Sequence, residues 1–77
     1  MVEQVRAVLP ARLALEVVSA GIDQGRLTIG VSGAVWASRL RYMTESVRKR
    51  VAASTGAAVI SVRVRVVPPG PGPLANP

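Results

Sequence analysis

Cysteine, histidine and phenylalanine are all absent from this 77-residue chain. Without cysteine no disulfide can staple the fold. Without cysteine or histidine the usual zinc ligand sets cannot be assembled. The same two absences remove the thiolate nucleophile and the imidazole base. The four acids, Glu3, Glu16, Asp23 and Glu45, fall in no paired motif. No glycine-rich loop runs into Lys-Ser or Lys-Thr, so there is no P-loop. Catalytic residues, cofactors, metals and small-molecule substrates are therefore not expected, and neither is an enzyme. Aromatics are reduced to Trp36 and Tyr42, so Val, Leu, Ile and Ala must supply the core. No apolar run approaches the roughly 18 residues of a membrane span. Met1-Val2-Glu3-Gln4 does not open a secretory signal. A soluble, cytoplasmic protein with no membrane partner is the expectation.

Acidic residues are scarce as well. Ten basic residues stand against four acids, for a net charge of +6. From Arg39 onward Arg39, Arg41, Arg48, Lys49, Arg50, Arg63 and Arg65 face a single acid, Glu45. Such a balance favours polyanionic partners, nucleic acid first and an anionic membrane or acidic protein after it. All of the bases but Lys49 are arginine, whose planar fork suits phosphate. A chain this short buries only about 60% of its unfolded surface. It holds one core worth roughly 3–5 kcal/mol.

Periodicity orders the chain. Val2, Val5, Val8 and Leu9 suit a short amphipathic helix over residues 2–9, ended by Pro10. Arg12 to Ile22 opens with alternation, Leu13, Leu15 and Val17 on one face and Arg12, Ala14 and Glu16 on the other, which reads as a strand. Asp23-Gln24-Gly25 is a hairpin loop. Arg26 to Ser32 returns with Leu27, Ile29 and Val31 inward and Arg26, Thr28, Gly30 and Ser32 outward. Ser32 is placed to cap the next helix. Trp36, Leu40, Met43, Val47 and Val51 form an inward helical stripe. Thr44, an N-cap residue type, divides it into helices over 34–43 and 45–54, separate or fused into one bent helix, and Gly56 stops the second. A third strand covers 59–67, with Ile60, Val62, Val64 and Val66 inward and Ser61, Arg63 and Arg65 outward. Residues 68–77 carry five of the six prolines and read as a flexible tail beyond a single domain of residues 1–67.

The resulting class is α+β, with the order αββααβ and a three-stranded sheet covered on one face by helices. The long connection between the second and third strands allows them to lie side by side and parallel. That is the order of the type II KH-like fold. Gly25, Leu27, Ile29, Val31, Trp36, Ala37 and Leu40 form a Gly-x-Leu-x-Ile-x-Val-x-x-x-x-Trp-Ala-x-x-Leu pattern that resembles the DciA family. Gly56, Val59, Ile60 and the strand Val62-Arg63-Val64-Arg65 resemble that family's ending. The likeness runs from about Leu13 to Val67. It implies DNA binding without nucleotide hydrolysis, and the bacterial replicative helicase as protein partner. Family members usually carry a longer helical lead-in than residues 2–9 provide.

The candidate phosphate contacts are Arg12, Arg26, Arg63 and Arg65 on the open sheet face and Arg39, Arg41, Arg48, Lys49 and Arg50 on the helices. Arg63 and Arg65 are two apart on one strand, so their Cα atoms lie about 6.6–7 Å apart on one face. Arg41 with Glu45 and Glu45 with Lys49 have pairing distance along a helix, which would neutralise part of the charge. Gly30-Val31-Ser32-Gly33 matches the backbone clamp of KH domains. It sits at a strand exit, however, and the clamp position, Met43-Thr44-Glu45-Ser46, contains an acid. The stripe assigns Trp36 to the core rather than to base stacking. Tyr42 lies off the stripe, at a position that is half-buried or in contact with a base or a protein partner. DNA is the expected partner, single or double stranded. The competing readings are a protein–protein adaptor that does not touch DNA, and a KH-like RNA- or ribosome-associated protein.

Overall fold

A computed structural model of the chain describes residues 1–67. The expected tail, 68–77, lies outside the described residues. Seven elements follow one another: α1 (Val2–Ala7), α2 (Ala11–Leu15), β1 (Val17–Asp23), β2 (Arg26–Val31), α3 (Ala34–Arg41), α4 (Thr44–Thr55) and β3 (Ser61–Val66). The class is α+β. The order is consistent with the KH-like arrangement, with one helix more than the sequence pattern suggested.

That helix is α2. The alternation from Arg12 read as a strand, but the chain is helical to Leu15 and extended only from Val17. Leu13 and Val17 are both buried, as expected, yet Leu15 between them is 78% exposed. A separation of four residues puts Leu13 and Val17 on the same side of a helical turn as well as of a strand. Ala, Arg and Leu are strong helix formers, and none of the residues from 11 to 15 is β-branched. The helical lead-in is thus two helices joined at Pro10. Arg6 Nη2 donates to the Val17 carbonyl at 2.7 Å, fastening α1 to the start of β1.

The sheet order is β1-β2-β3, antiparallel between β1 and β2 and parallel between β2 and β3. Asp23 pairs with Arg26, leaving Gln24 and Gly25 as a two-residue loop. Their φ values, 52° and 81°, are the positive pair that a type I′ hairpin requires. The Gly25 carbonyl also accepts from Ile60 N–H at 2.6 Å, starting β3. A Cβ at Gly25 would lie 2.7 Å from Ile60 Cδ1. Gly25→Ala should therefore lower stability by about 1–2 kcal/mol, the ordinary cost of a left-handed backbone for an L-residue. Urea denaturation checks this, and an unchanged midpoint would remove the hairpin from its assigned role.

Leu27, Ile29 and Val31 of β2 are fully buried beneath Leu40, Val47 and Val51 of the helices and Val5 of α1. Val64 is buried beside them. Trp36, Met43 and Val62 are partly buried at the core's margin rather than within it. Ala37 is fully buried, so the small residue after the tryptophan is what lets α3 approach. Ile60 and Val66, expected inward, are exposed, and Val59 takes the buried place next to β3.

Two expected caps are replaced. Gly33 is the N-cap of α3, while Ser32 Oγ donates to Glu16 Oε1 and Ser32 N–H to the Glu16 carbonyl at 3.0 Å. Ser32 thereby ties the end of β2 to the start of β1. Thr44 is the first residue of α4, and its hydroxyl donates back to the Arg41 carbonyl at 3.3 Å. Gly56 ends α4 in the left-handed conformation, as expected.

Candidate nucleic-acid interface

Strand alternation sends every second residue of the sheet to the side away from the helices. Register then sorts those residues into rows. Asp23, Arg26 and Ser61 form one row, Gly21, Thr28 and Arg63 the next, and Ser19, Gly30 and Arg65 the third. Arg26, Arg63 and Arg65 are all exposed. Neighbouring strands lie about 4.8 Å apart, so three guanidinium groups share one small polar surface. Asp23, Gln24, Arg26, Thr28 and Arg63 line a shallow concavity of about 230 Å³ on it. Asp23 subtracts charge at the hairpin end, which leaves the field strongest toward Arg63 and Arg65.

Gly30 is buried although it faces this side. A Cβ there would lie 2.6 Å from Val67 Cγ2 and closer still to Ser19 Oγ. The side chains of Val67 and Ser19 thus fill the space beside Gly30 in the middle of the third row, while Val67 N–H extends the parallel ladder to the Val31 carbonyl at 2.7 Å.

Arg12 is not part of this face. It projects from α2 and joins Pro10, Leu13, Trp36, Arg39 and Met43 around a groove of about 300 Å³. The Arg39 guanidinium sits 5.8 Å from the centre of the Trp36 ring, within cation–π range. Sequence reasoning missed this groove because it placed Arg12 on a strand. The spacing of Trp36, Arg39 and Met43 along one side of a helix was the available signal.

Arg48 is engaged internally. Its guanidinium pairs with Glu45 and donates to the Val59 carbonyl at 3.2 Å, joining α4 to the chain entering β3. The Arg48 hydrogen bond holds the Glu45 carboxyl below its usual range, and Glu45 in turn raises the Arg48 guanidinium. The expected partners of Glu45, Arg41 and Lys49, make no ion pair with it; Glu45–Arg48 is the one ion pair among the described residues. Arg41, Lys49 and Arg50 are exposed on α3 and α4. Tyr42 is 91% exposed, beyond the half-buried position considered for it.

No cluster of three acids among the described residues could hold a metal. No helix among them is long and apolar enough to cross a membrane. No curated protein matches the chain. A protein-family model described as Dna[CI] antecedent, DciA matches residues 1–64, from α1 into β3. The Gly25–Leu40 pattern falls inside that match, and the chain belongs to the DciA family, which acts in loading the replicative helicase during DNA replication.

Proposed function

We propose that this chain is a non-enzymatic DNA-binding accessory of replication, which helps load or operate the replicative helicase while its open sheet face holds DNA phosphates. The observation that carries the reading is the convergence of Arg26, Arg63 and Arg65 on one solvent-facing surface with no ion-pair partner among the described residues. Arg41, Lys49 and Arg50 add positive field from the helices. Arg48 and Arg6 are excluded from the contact set because backbone carbonyls and Glu45 hold them. Phosphate contacts of this kind confer affinity without sequence preference. The exposed Tyr42 end of α3 is the surface assigned to the helicase. The reading places the protein in the cytoplasm, with the chromosome.

Fluorescence anisotropy with labelled DNA over a salt series tests the DNA half. The three sheet-face contacts by themselves give a log–log slope of about −2 for single strands and about −3 for duplex. Absence of binding at low salt, or binding indifferent to salt, would overturn it. Retention of the helicase with no DNA binding would leave the adaptor reading instead.

A further inference from the structure

We propose that the groove between α2 and α3 is a stacking slot for one unpaired DNA base, so that the chain prefers single strands to duplex. The inference rests on the DNA-binding reading above and assigns it a second, chemically different contact. The groove floor is apolar, made by Leu13, Met43 and the half-buried indole of Trp36. Its rim carries two exposed guanidinium groups, Arg12 from α2 and Arg39 from α3, and no acid lines it. Flat apolar walls under a doubly positive rim match a base with phosphates on either side. An apolar protein segment would leave both charges unanswered.

Size and rigidity narrow the occupant further. A volume of about 300 Å³ is at the small end of ligand pockets, which run on the order of 300–1,000 Å³. It is large enough to admit a base. The indole is held from below by the core, and Ala37 beside it is fully buried, so the ring is a fixed platform. Arg39 lies over that ring at 5.8 Å, near the outer limit of such contacts. It is therefore loosely placed, and either moves aside to a phosphate or presents its own plane to the base, as guanidinium groups do in single-strand recognition. The sheet face has no aromatic at all, so stacking of a base on an aromatic ring is confined to the helical side of the molecule.

Trp36 is the single tryptophan, so its emission reports on the slot without any substitution. The full chain is titrated with oligothymidylate, with an abasic strand of equal length and charge, and with a duplex. The base-bearing strand should quench Trp36 and bind about 5- to 150-fold tighter than the abasic strand, the range of one stacked base. The duplex should leave the emission unchanged. Trp36→Leu should erase the preference while keeping abasic binding, and Trp36→Phe should restore part of it. Equal affinity for the two strands with unchanged emission would sink the slot and leave the phosphate-binding sheet standing. Failure to bind any of them at low salt would remove both. A Trp36→Leu chain that keeps the preference but loses the helicase would make the groove a protein site and overturn the proposal.

Discussion

Leu40→Ala should strip the chain of most or all of its folding stability. Leu40 is fully buried in the last turn of α3, inside the core cluster that, among the described residues, unites both lead-in helices, α3, α4 and the inner face of the sheet. Removing a buried leucine side chain costs about 2–5 kcal/mol through lost transfer energy and the cavity left behind. A single core in a chain this small supplies roughly 3–5 kcal/mol in all, and neither a disulfide nor, among the described residues, a buried polar network supplements it. The two ranges overlap, so one substitution removes most or all of the margin. Far-UV circular dichroism during heating measures it, with a midpoint lowered by at least about 10 °C as the minimum expected. Leu15→Ala is the matched control, since that side chain is exposed on α2, and its midpoint should barely move. Equal shifts for the two leucines would mean that α2 is wrongly oriented.

Most of the core was legible from residue order because period and residue type agreed there. Leu27, Ile29 and Val31 alternate, have strong strand preference and follow a glycine that accepts positive φ, and all three are buried. Leu40, Val47 and Val51 repeat at helical spacing and are buried too. At Arg12–Val17 the two signals conflicted. Alternation said strand, helix propensity said helix, and propensity was right because Pro10 resets the chain and supplies the N-cap position of α2. The parallel pairing of β2 with β3 was legible from the length of the connection alone.

The site was less legible, for a different reason. Sequence shows which residues carry charge but not which charges the fold already uses. Arg6 and Arg48 each reach a backbone carbonyl eleven residues away in sequence, and nothing local distinguishes them from Arg39 or Arg50. Ser32 likewise finds Glu16 across the sheet instead of the helix end beside it. Arg63 and Arg65 escaped this ambiguity because strand alternation fixes their side once Val64 between them is known to face the core.

Reversing that pair gives the largest functional effect expected. Arg63→Glu with Arg65→Glu should weaken DNA binding by about two orders of magnitude at low salt, since two charge-assisted contacts of at least about 1.5 kcal/mol each are lost. The fold should persist, because both side chains are exposed and make no hydrogen bond or ion pair among the described residues. Net charge alone would also weaken binding, so the comparison that decides is Lys49→Glu with Arg50→Glu on α4, the same formal change elsewhere on the surface. A sheet-face interface requires the first pair to lose far more affinity than the second, and to flatten the salt dependence by about one to two units of slope. Equal losses would reduce the arginines to a diffuse field. Helicase capture by the sheet-face double variant should be undiminished, because Tyr42 and its surroundings lie on the helical side. If capture and DNA binding fall together, one surface serves both partners, and the separate assignment of the sheet face to phosphates and of the Tyr42 end of α3 to the helicase is wrong.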